Sequence, residues 1–456
     1  MNRSADVRRP RRPTRAEQYA AGKTIRRRVP RSAHALWEPP AGRVDSVEVL
    51  EHTARSLDPR LVPIRFGRMS LSPFAFLRGS AAVMARDLAS TPTAGLRVQL
   101  CGDAHVANFG VFATPERDLV FDANDFDETL AGPFEWDVKR LATSLVLAAR
   151  QYGGSPEQAR EVAVASVRAY RTQMAQFARE PYLVAWYAHI DRAWIPKVVN
   201  RAGRRSLDRT FDEARRRSGP DAFPHLVEKV RGEYRIREEP PLIVHDRRTA
   251  SGHARALFRA YLRTIAEERR TLLERYELVD TARKVVGVGS VGTDCSVLLL
   301  LGDADVLDPI FLQLKEAQSS VWEPHAGPSP FANHAERVVV GQRMVQHASD
   351  ICLGWTSLGS KDYYVRQLRD MRLSLDLATL GPKGFLGQAE LCGASLARAH
   401  ARTGDPARLS GYLGDKPAFD RAVGAFAGAY ARQVEQDLRD FRRAVRSGRV
   451  AAVVDM

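Results

Sequence analysis

Apolar residues recur at helical spacing along most of this chain. Phe74, Leu77, Ala81, Met84, Ala85 and Leu88 form one stripe, and Leu257, Tyr261, Ile265 and Leu272 form another. Each stripe predicts an amphipathic helix. Residues 134–150 predict a further helix. Short apolar segments interrupt this pattern. Residues 96–100 and 119–121 read as strands on either side of a polar segment, 101–108. Three successive strands are predicted at 284–286, 295–301 and 310–315, and a fourth at 363–366. Helix returns near 336–346 and runs from 373 to the end. The region 155–280 reads as mostly helical. Ser218-Gly219-Pro220 and Glu238-Glu239-Pro240-Pro241 predict loops in it, because Gly and Pro end helices. No internal repeat is visible.

The chain has 456 residues, room for about three domain-sized units or two lobes with insertions. Hydrophobic residues make up 44% and charged residues 27%, which excludes a disordered or collagen-like chain. The longest apolar run, Val297-Leu298-Leu299-Leu300-Leu301, is far shorter than the roughly 18 residues of a membrane-spanning helix. Cys101, Cys295, Cys352 and Cys392 lie far apart with no CxxC pair, so a reducing, cytoplasmic location is expected.

The net charge of +15 is unevenly placed. Residues 1–31 hold eleven Lys/Arg against Asp6 and Glu17, a net +9, which leaves only +6 for the rest. Residues 1–45 are therefore expected to be a disordered basic arm. Arg8-Arg9-Pro10-Arg11-Arg12-Pro13 could meet a nonspecific anionic partner, nucleic acid or anionic lipid. A twin-arginine export signal is rejected, because no apolar segment follows the arginines.

Two segments carry candidate chemistry. The first crowds Asp103, His105, Asn108, Asp122, Asp125 and Asp127 into 25 residues. Carboxylates beside an Asn supply the oxygen ligands that Mg²⁺ prefers. An Asp, an Asn five residues later, and another Asp after a short hairpin is the spacing of a phosphoryl-transfer site. An acidic turn with Asx caps uses the same residue types. The second segment, Gly287-Val288-Gly289-Ser290-Val291-Gly292, matches GxGxxG. A dinucleotide fingerprint needs a helix next, but a leucine-rich strand candidate follows. Strand, glycine loop, strand, then a strand bearing Lys315 is the protein-kinase order. Glycines let backbone N–H groups approach phosphates, and Lys315 could reach them as a point charge. Glu336, on the following helix, is the expected ion-pair partner of Lys315.

These residues resemble known families. Gly102-Asp103-Ala104-His105-Val106-Ala107-Asn108 resembles the HGDxHxxN loop of aminoglycoside phosphotransferases and homoserine kinases. Asp125-Phe126-Asp127-Glu128, with Gly132-Pro133 and Trp136-Asp137, resembles their IDFDD…GP…WDLA stretch. From about residue 60 onward the chain is similar to an uncharacterised bacterial domain family placed in the protein-kinase-like superfamily. Arg65-Phe66-Gly67-Arg68-Met69, Ser72-Pro73-Phe74-Ala75-Phe76 and Gly341-Gln342-Arg343 are part of that likeness. Two departures stand out. The catalytic-loop segment precedes the glycine segment, as a circular permutation would produce. Cys101 stands where those families have His.

The resemblance implies a two-lobed, protein-kinase-like α+β fold, circularly permuted. Its parts would be a catalytic and metal-binding section at 46–150, a helical insertion at 151–283, a β-rich lobe at 284–372 and closing helices at 373–456. It implies an ATP- and Mg²⁺-dependent phosphotransferase, with Mn²⁺ as an alternative metal, acting on a hydroxyl of a small molecule. Asp103 would be the catalytic base or substrate-orienting residue. His105 could contact substrate or metal. Asn108 and Asp125 would hold the metal, with Asp127 and Asp122 in reserve. Gly287, Gly289, Gly292, Lys315 and Glu336 would serve the nucleotide, and 363–366 would receive adenine through backbone groups. Asp137 is expected to steady the loop. Nucleotidyl transfer remains open on the same fold. The rivals are a non-catalytic nucleotide-binding protein and a metallophosphoesterase, whose DxH motif Asp103-Ala104-His105 also fits.

Overall fold

The computed structural model describes residues 11–453 except 196–200, 217–218, 246–251, 286, 288, 290, 304–306, 369–370, 372 and 375. Asp6, Arg8, Arg9, Pro10, Ser218, Val286, Val288 and Ser290, read in the sequence above, lie outside the described residues. The chain is α+β, with helices predominating.

Strands β1 (Arg97–Leu100), β2 (Phe109–Ala113), β3 (Leu119–Ala123) and β4 (Leu130–Pro133) come first. Next are β5 (Val227–Val230), β6 (Glu233–Ile236) and β7 (Ile243–Val244). Then follow β8 (Glu277–Lys284), β9 (Cys295–Leu301), β10 (Pro309–Ala317), β11 (Gly354–Leu358), β12 (Lys361–Gln367) and β13 (Leu373–Ser374). The largest sheet has the order β11-β12-β10-β9-β8-β7, and all its pairings are antiparallel. The helix His334–Val345 lies between β10 and β11 in the chain and packs on both β11 and β12.

The strand β9 shows why this sheet forms. Its CSVLLLL run is buried on both faces, as a central strand requires. Val297 and Leu299 join Ala282 and Phe311 on one face. Leu298 and Leu300 join Leu278, Leu312, Leu314 and Val365 on the other, against the helix Gly252–Leu262. A one-residue slip in register would exchange the two faces.

The main core is helical. It gathers Phe134–Gln151, Pro156–Phe177, Pro382–Thr403 and Ala418–Arg446 around the short strands β1 to β4. Phe134–Gln151 is buried on every side, although it carries Glu135, Asp137, Lys139, Arg140, Thr143 and Ser144. Those polar residues position the site described below.

Each of the two apolar stripes spans two helices in place of one, Pro73–Gly79 with Ala81–Ala89 and Gly252–Leu262 with Glu267–Leu273, and three further expectations differ from the structure. The stretch 1–45 is not a disordered arm from Arg15 onward. Thr14 and Glu17 form a capping box that starts a helix, Arg15–Ile25. That helix crosses Pro406–Leu413 at close range. A Cβ on Gly22 would stand 1.9 Å from the Arg408 carbonyl oxygen. Basic residues of this stretch serve helix carbonyls: Arg26 Nε donates to the Tyr412 oxygen at 2.9 Å and Arg31 to the Leu413 oxygen at 2.6 Å. Second, Gly219-Pro220 opens a helix, Gly219–Leu226, instead of a loop. Third, the region expected to be helical up to 280 also contains β5, β6, β7 and the start of β8. No helix among the described residues is long and apolar enough to cross a membrane.

Candidate active site

The segment 101–108 is held by one stripe of the Phe134–Gln151 helix. Asp137, Arg140 and Ser144 are spaced three and four residues apart, so they share a face. Asp137 accepts from the amides of Cys101 (2.7 Å) and Gly102 (3.1 Å). Arg140 Nε donates to Asp103 Oδ1 at 2.5 Å. Ser144 Oγ accepts from the Val106 amide at 2.9 Å. All three are fully buried. His400 Nε2 lies 3.3 Å from Asp137, and its Nδ1 meets the Tyr170 hydroxyl at 2.9 Å. Trp322, stacked on Trp136, donates from Nε1 to the Gly102 carbonyl at 2.7 Å. Gly102 has φ +87°, and a Cβ there would stand 2.1 Å from the Glu128 carbonyl oxygen. Only glycine fits that position. It lets the Asp103 segment press against the Asp125–Glu128 segment.

The hairpin β2–β3 brings the metal candidates together. The Asn124 amide donates to the Asn108 carbonyl at 3.0 Å, continuing the pairing of Phe109 with Ala123. Asn108 and Asp125 therefore sit at the same end of the hairpin. Asn108 Nδ2 donates to the Asp103 carbonyl at 3.0 Å. Asp125 accepts only a long 3.5 Å bond from the Asp127 amide among the described residues. Burial raises the Asp125 carboxyl above its ordinary range, Asp127 adds to this, and Lys315 and Arg366 oppose it.

Asp127 and Asp122 have different roles from the expected reserve ligands. Asp127 binds the Lys315 ammonium, and the Tyr364 hydroxyl donates to it at 2.7 Å. Burial acts to raise Asp127, but the Lys315 charge and these hydrogen bonds outweigh it and hold the carboxyl down to about 2. Burial pulls Lys315 down, and Asp127 more than reverses it. Asp122 is wholly buried. It accepts from Ser395 Oγ (2.8 Å), Arg398 Nη2 (2.5 Å) and the His347 amide (2.9 Å). Its oxygens are spent on structure.

Glu336 is also placed differently. The ion pair of Lys315 is with Asp127, while Glu336 lies in the first turn of His334–Val345, its amide capped by Asn333. The cation that this helix sends to the acidic loop is Arg337. It donates to the carbonyls of Thr129 (2.7 Å), Asp127 (2.8 Å) and Gln318 (2.7 Å). In the segment 363–366, expected to receive adenine, the backbone groups of the first three residues are engaged in the sheet, while Arg366 pairs with β10 alone. Tyr363, Tyr364 and Val365 pair with β10 on one side and β11 on the other, because β12 is an interior strand.

The glycine segment meets Asp103. A Cβ on Gly289 would lie 3.3 Å from the Arg78 carbonyl oxygen and 4.0 Å from Asp103 Oδ2. Arg65 ties the segment down, donating to the carbonyls of Gly289 (2.5 Å) and Gly79 (2.9 Å). Gly287 is exposed with open space around it. Gly292 has φ +102°, and its carbonyl accepts from the Asp58 amide at 2.8 Å.

His105 is 3% exposed, with Nε2 3.7 Å from Asp103 Oδ2. Burial, with Arg78 and Arg140 nearby, holds it well below its ordinary range. Burial raises Glu128 to about 7, although its carboxylate accepts from the Val321 amide at 2.7 Å. Burial also raises the Cys101 thiol, which makes it a packing group and not a nucleophile.

Sequence reasoning missed Arg78, Arg140, Arg337 and Tyr364. Arg140 carried a readable signal, a basic residue one turn after Asp137 and so on the same helix face. The others are set by contacts between distant segments. Among the described residues no three His, Cys, Asp or Glu side chains gather as a metal cage. Mg²⁺ is commonly held by one or two protein oxygens plus phosphates and water. The Asn108 carboxamide and the Asp125 carboxylate fit that smaller demand.

No curated protein and no solved structure matches this chain. A family model described as "Uncharacterized protein conserved in bacteria (DUF2252)" matches residues 55–444. The match spans the helical core, the large sheet and every candidate site residue, so the chain belongs to that uncharacterized bacterial family.

Proposed function

We propose that this chain is an ATP- and Mg²⁺-dependent phosphotransferase acting on a hydroxyl of a small molecule. One observation carries the reading. Two motifs far apart in sequence converge: Gly289 adjoins Asp103, and Lys315 pairs with Asp127 across 188 residues. Such convergence is what phosphoryl transfer needs, a phosphate cradle beside a proton acceptor and metal-binding oxygens.

The large sheet supports the reading. Glycine segment, β9, Lys-bearing β10, helix, β11 and β12 follow the chain order of a protein-kinase small lobe. The helical core would then be the large lobe, in circularly permuted order. In this reading Asp103 accepts the acceptor's hydroxyl proton while its oxygen bonds to the terminal phosphorus and ADP leaves. Arg140 keeps Asp103 in place. Lys315 meets nucleotide phosphates, and Asp127 with Tyr364 orients it. Asn108 and Asp125 would hold Mg²⁺, which neutralises phosphate charge when bound. The buried Cys101, in place of a loop His, favours one alternative, a nucleotide-binding protein without turnover.

The test is nucleotide binding and turnover by the full chain. Asp125→Ala is expected to abolish Mg–ATP binding measured by calorimetry. Asp103→Ala is expected to bind Mg–ATP within a few-fold of wild type and to lose ADP release. Full ADP release by Asp103→Ala would refute the role given to Asp103.

A further inference from the structure

Three arginines act on Asp103, and two of them are employed in hydrogen bonds. Arg140 is spent on Asp103 and the Leu77 carbonyl. Arg65 is spent on the carbonyls of Gly79, Gly289 and Val291. Arg78 has no comparable partner. It lies in the helix Pro73–Gly79, half-buried, with its guanidinium carbon 5.8 Å from the Phe74 ring centroid. Its Nε is buried and makes no hydrogen bond, and no carboxylate pairs with it among the described residues.

The position of Arg78 is specific. Its carbonyl adjoins Gly289, and its charge acts on Asp103, Tyr152 and Asp125. Burial pulls it below its ordinary range. Beside it, His105 Nδ1 is also buried without a partner. A buried guanidinium nitrogen without an acceptor carries a desolvation cost that a ligand would offset. Its fork of N–H donors matches the oxygens of a phosphate or carboxylate.

We infer that Arg78 receives an oxyanion, a phosphate or carboxylate, beside Asp103. The naming of its source rests on the phosphotransferase reading: the terminal phosphate of the nucleotide, or an acidic group on the acceptor. In either case Arg78 is a binding residue that sets the charge of what enters the site.

The test titrates inorganic phosphate into the full-length protein by calorimetry. Wild type, Arg78→Gln and Arg78→Lys are compared, with thermal melts confirming that each variant is folded. Phosphate is expected to bind wild type, to lose about tenfold or more in Arg78→Gln, and to recover in part in Arg78→Lys. Equal phosphate affinity in wild type and Arg78→Gln, or no phosphate binding to wild type, would overturn the inference. Two further arms separate the sources. Weaker Mg–ATP binding by Arg78→Gln with unchanged Mg–ADP binding assigns the terminal phosphate. Arg78-dependent phosphate binding that persists when the protein is saturated with a non-hydrolysable Mg–ATP analogue assigns the acceptor. Arg78-dependent phosphate binding without any nucleotide binding keeps Arg78 as an anion site and removes the phosphotransferase reading.

Discussion

The segment 101–108 and the segment 287–292 approach each other, yet they are built in opposite ways. Cys101, Gly102, Ala104, His105 and Val106 are buried, whereas the other segment is exposed at Gly287 and Gly289 and buried at its end, Val291 and Gly292. The first segment hangs on three polar side chains of one buried helix and on Trp322. The second is held at its described residues by carbonyls that accept from Arg65 and from the Asp58 amide. The difference teaches where rigidity is placed. In the proposed reading Asp103 is a proton acceptor, which must be positioned before its substrate arrives, and 287–292 is a phosphate cradle, which needs its backbone N–H groups open to the ligand.

Substitutions can break this contrast. The largest effect is expected from Asp137→Ala. It removes the acceptor of two loop amides and leaves His400 without its carboxylate. A loss of about 3–5 kcal/mol in denaturant unfolding is expected. A loss below about 1 kcal/mol would show that the helix does not anchor the loop.

The two glycine segments should differ next. Gly102→Ala combines a positive φ with a clash against the Glu128 carbonyl, so about 2–4 kcal/mol should be lost. Gly287→Ala meets nothing within 4 Å, and its stability should stay within about 0.5 kcal/mol of wild type. Equal losses in the two variants would erase the distinction.

A smaller effect concerns pH. Glu128 is raised from 4.5 to about 7 by burial, so the folded state holds its proton more tightly than the unfolded state. Its contribution is fully present below pH 4.5 and is lost as pH rises through about 7. Asp127, held down to about 2, acts oppositely, and its contribution is lost as pH falls through that value. Between pH 5 and 7, Glu128→Gln should flatten the decline in stability measured by chemical denaturation. An unchanged slope would mean that Glu128 titrates normally.

Local pattern made much of the fold legible. The strand β9 was readable to the residue, because a continuous apolar run bounded by polar residues has few alternatives. The helix Phe134–Gln151 was equally clear. Strands β4 and β11 were not, since LAGP and GWTSL are short and carry Gly or Pro. The helix Arg15–Ile25 was hidden by its charge, although its capping box was present in the sequence. The arginines there read as a solvated arm because the carbonyls they serve lie almost 400 positions away.

At the site, the acidic residues were legible as a group but not in their separate roles. Asp122 and Asp125 are three residues apart and chemically identical. Asp122 is spent because Ser395 and Arg398 reach it from 273 and 276 positions away. Asp125 has no such partner among the described residues. Lys315 was expected to pair with the next helix, but its register opposite Tyr364 in the sheet sets it against Asp127. No local pattern encodes these choices, which are made by tertiary contacts.

The central claim is that the converged segments form a metal–nucleotide site. Thermal unfolding of the full-length protein with and without Mg–ATP tests it most directly, with Asp125→Ala alongside. A ligand at about 100 times its Kd adds roughly 2.7 kcal/mol, enough to shift a melt by several degrees. The account predicts a shift in wild type that vanishes in Asp125→Ala, whose melt without ligand stays close to wild type. No shift in wild type, or the same shift in the variant, would contradict it.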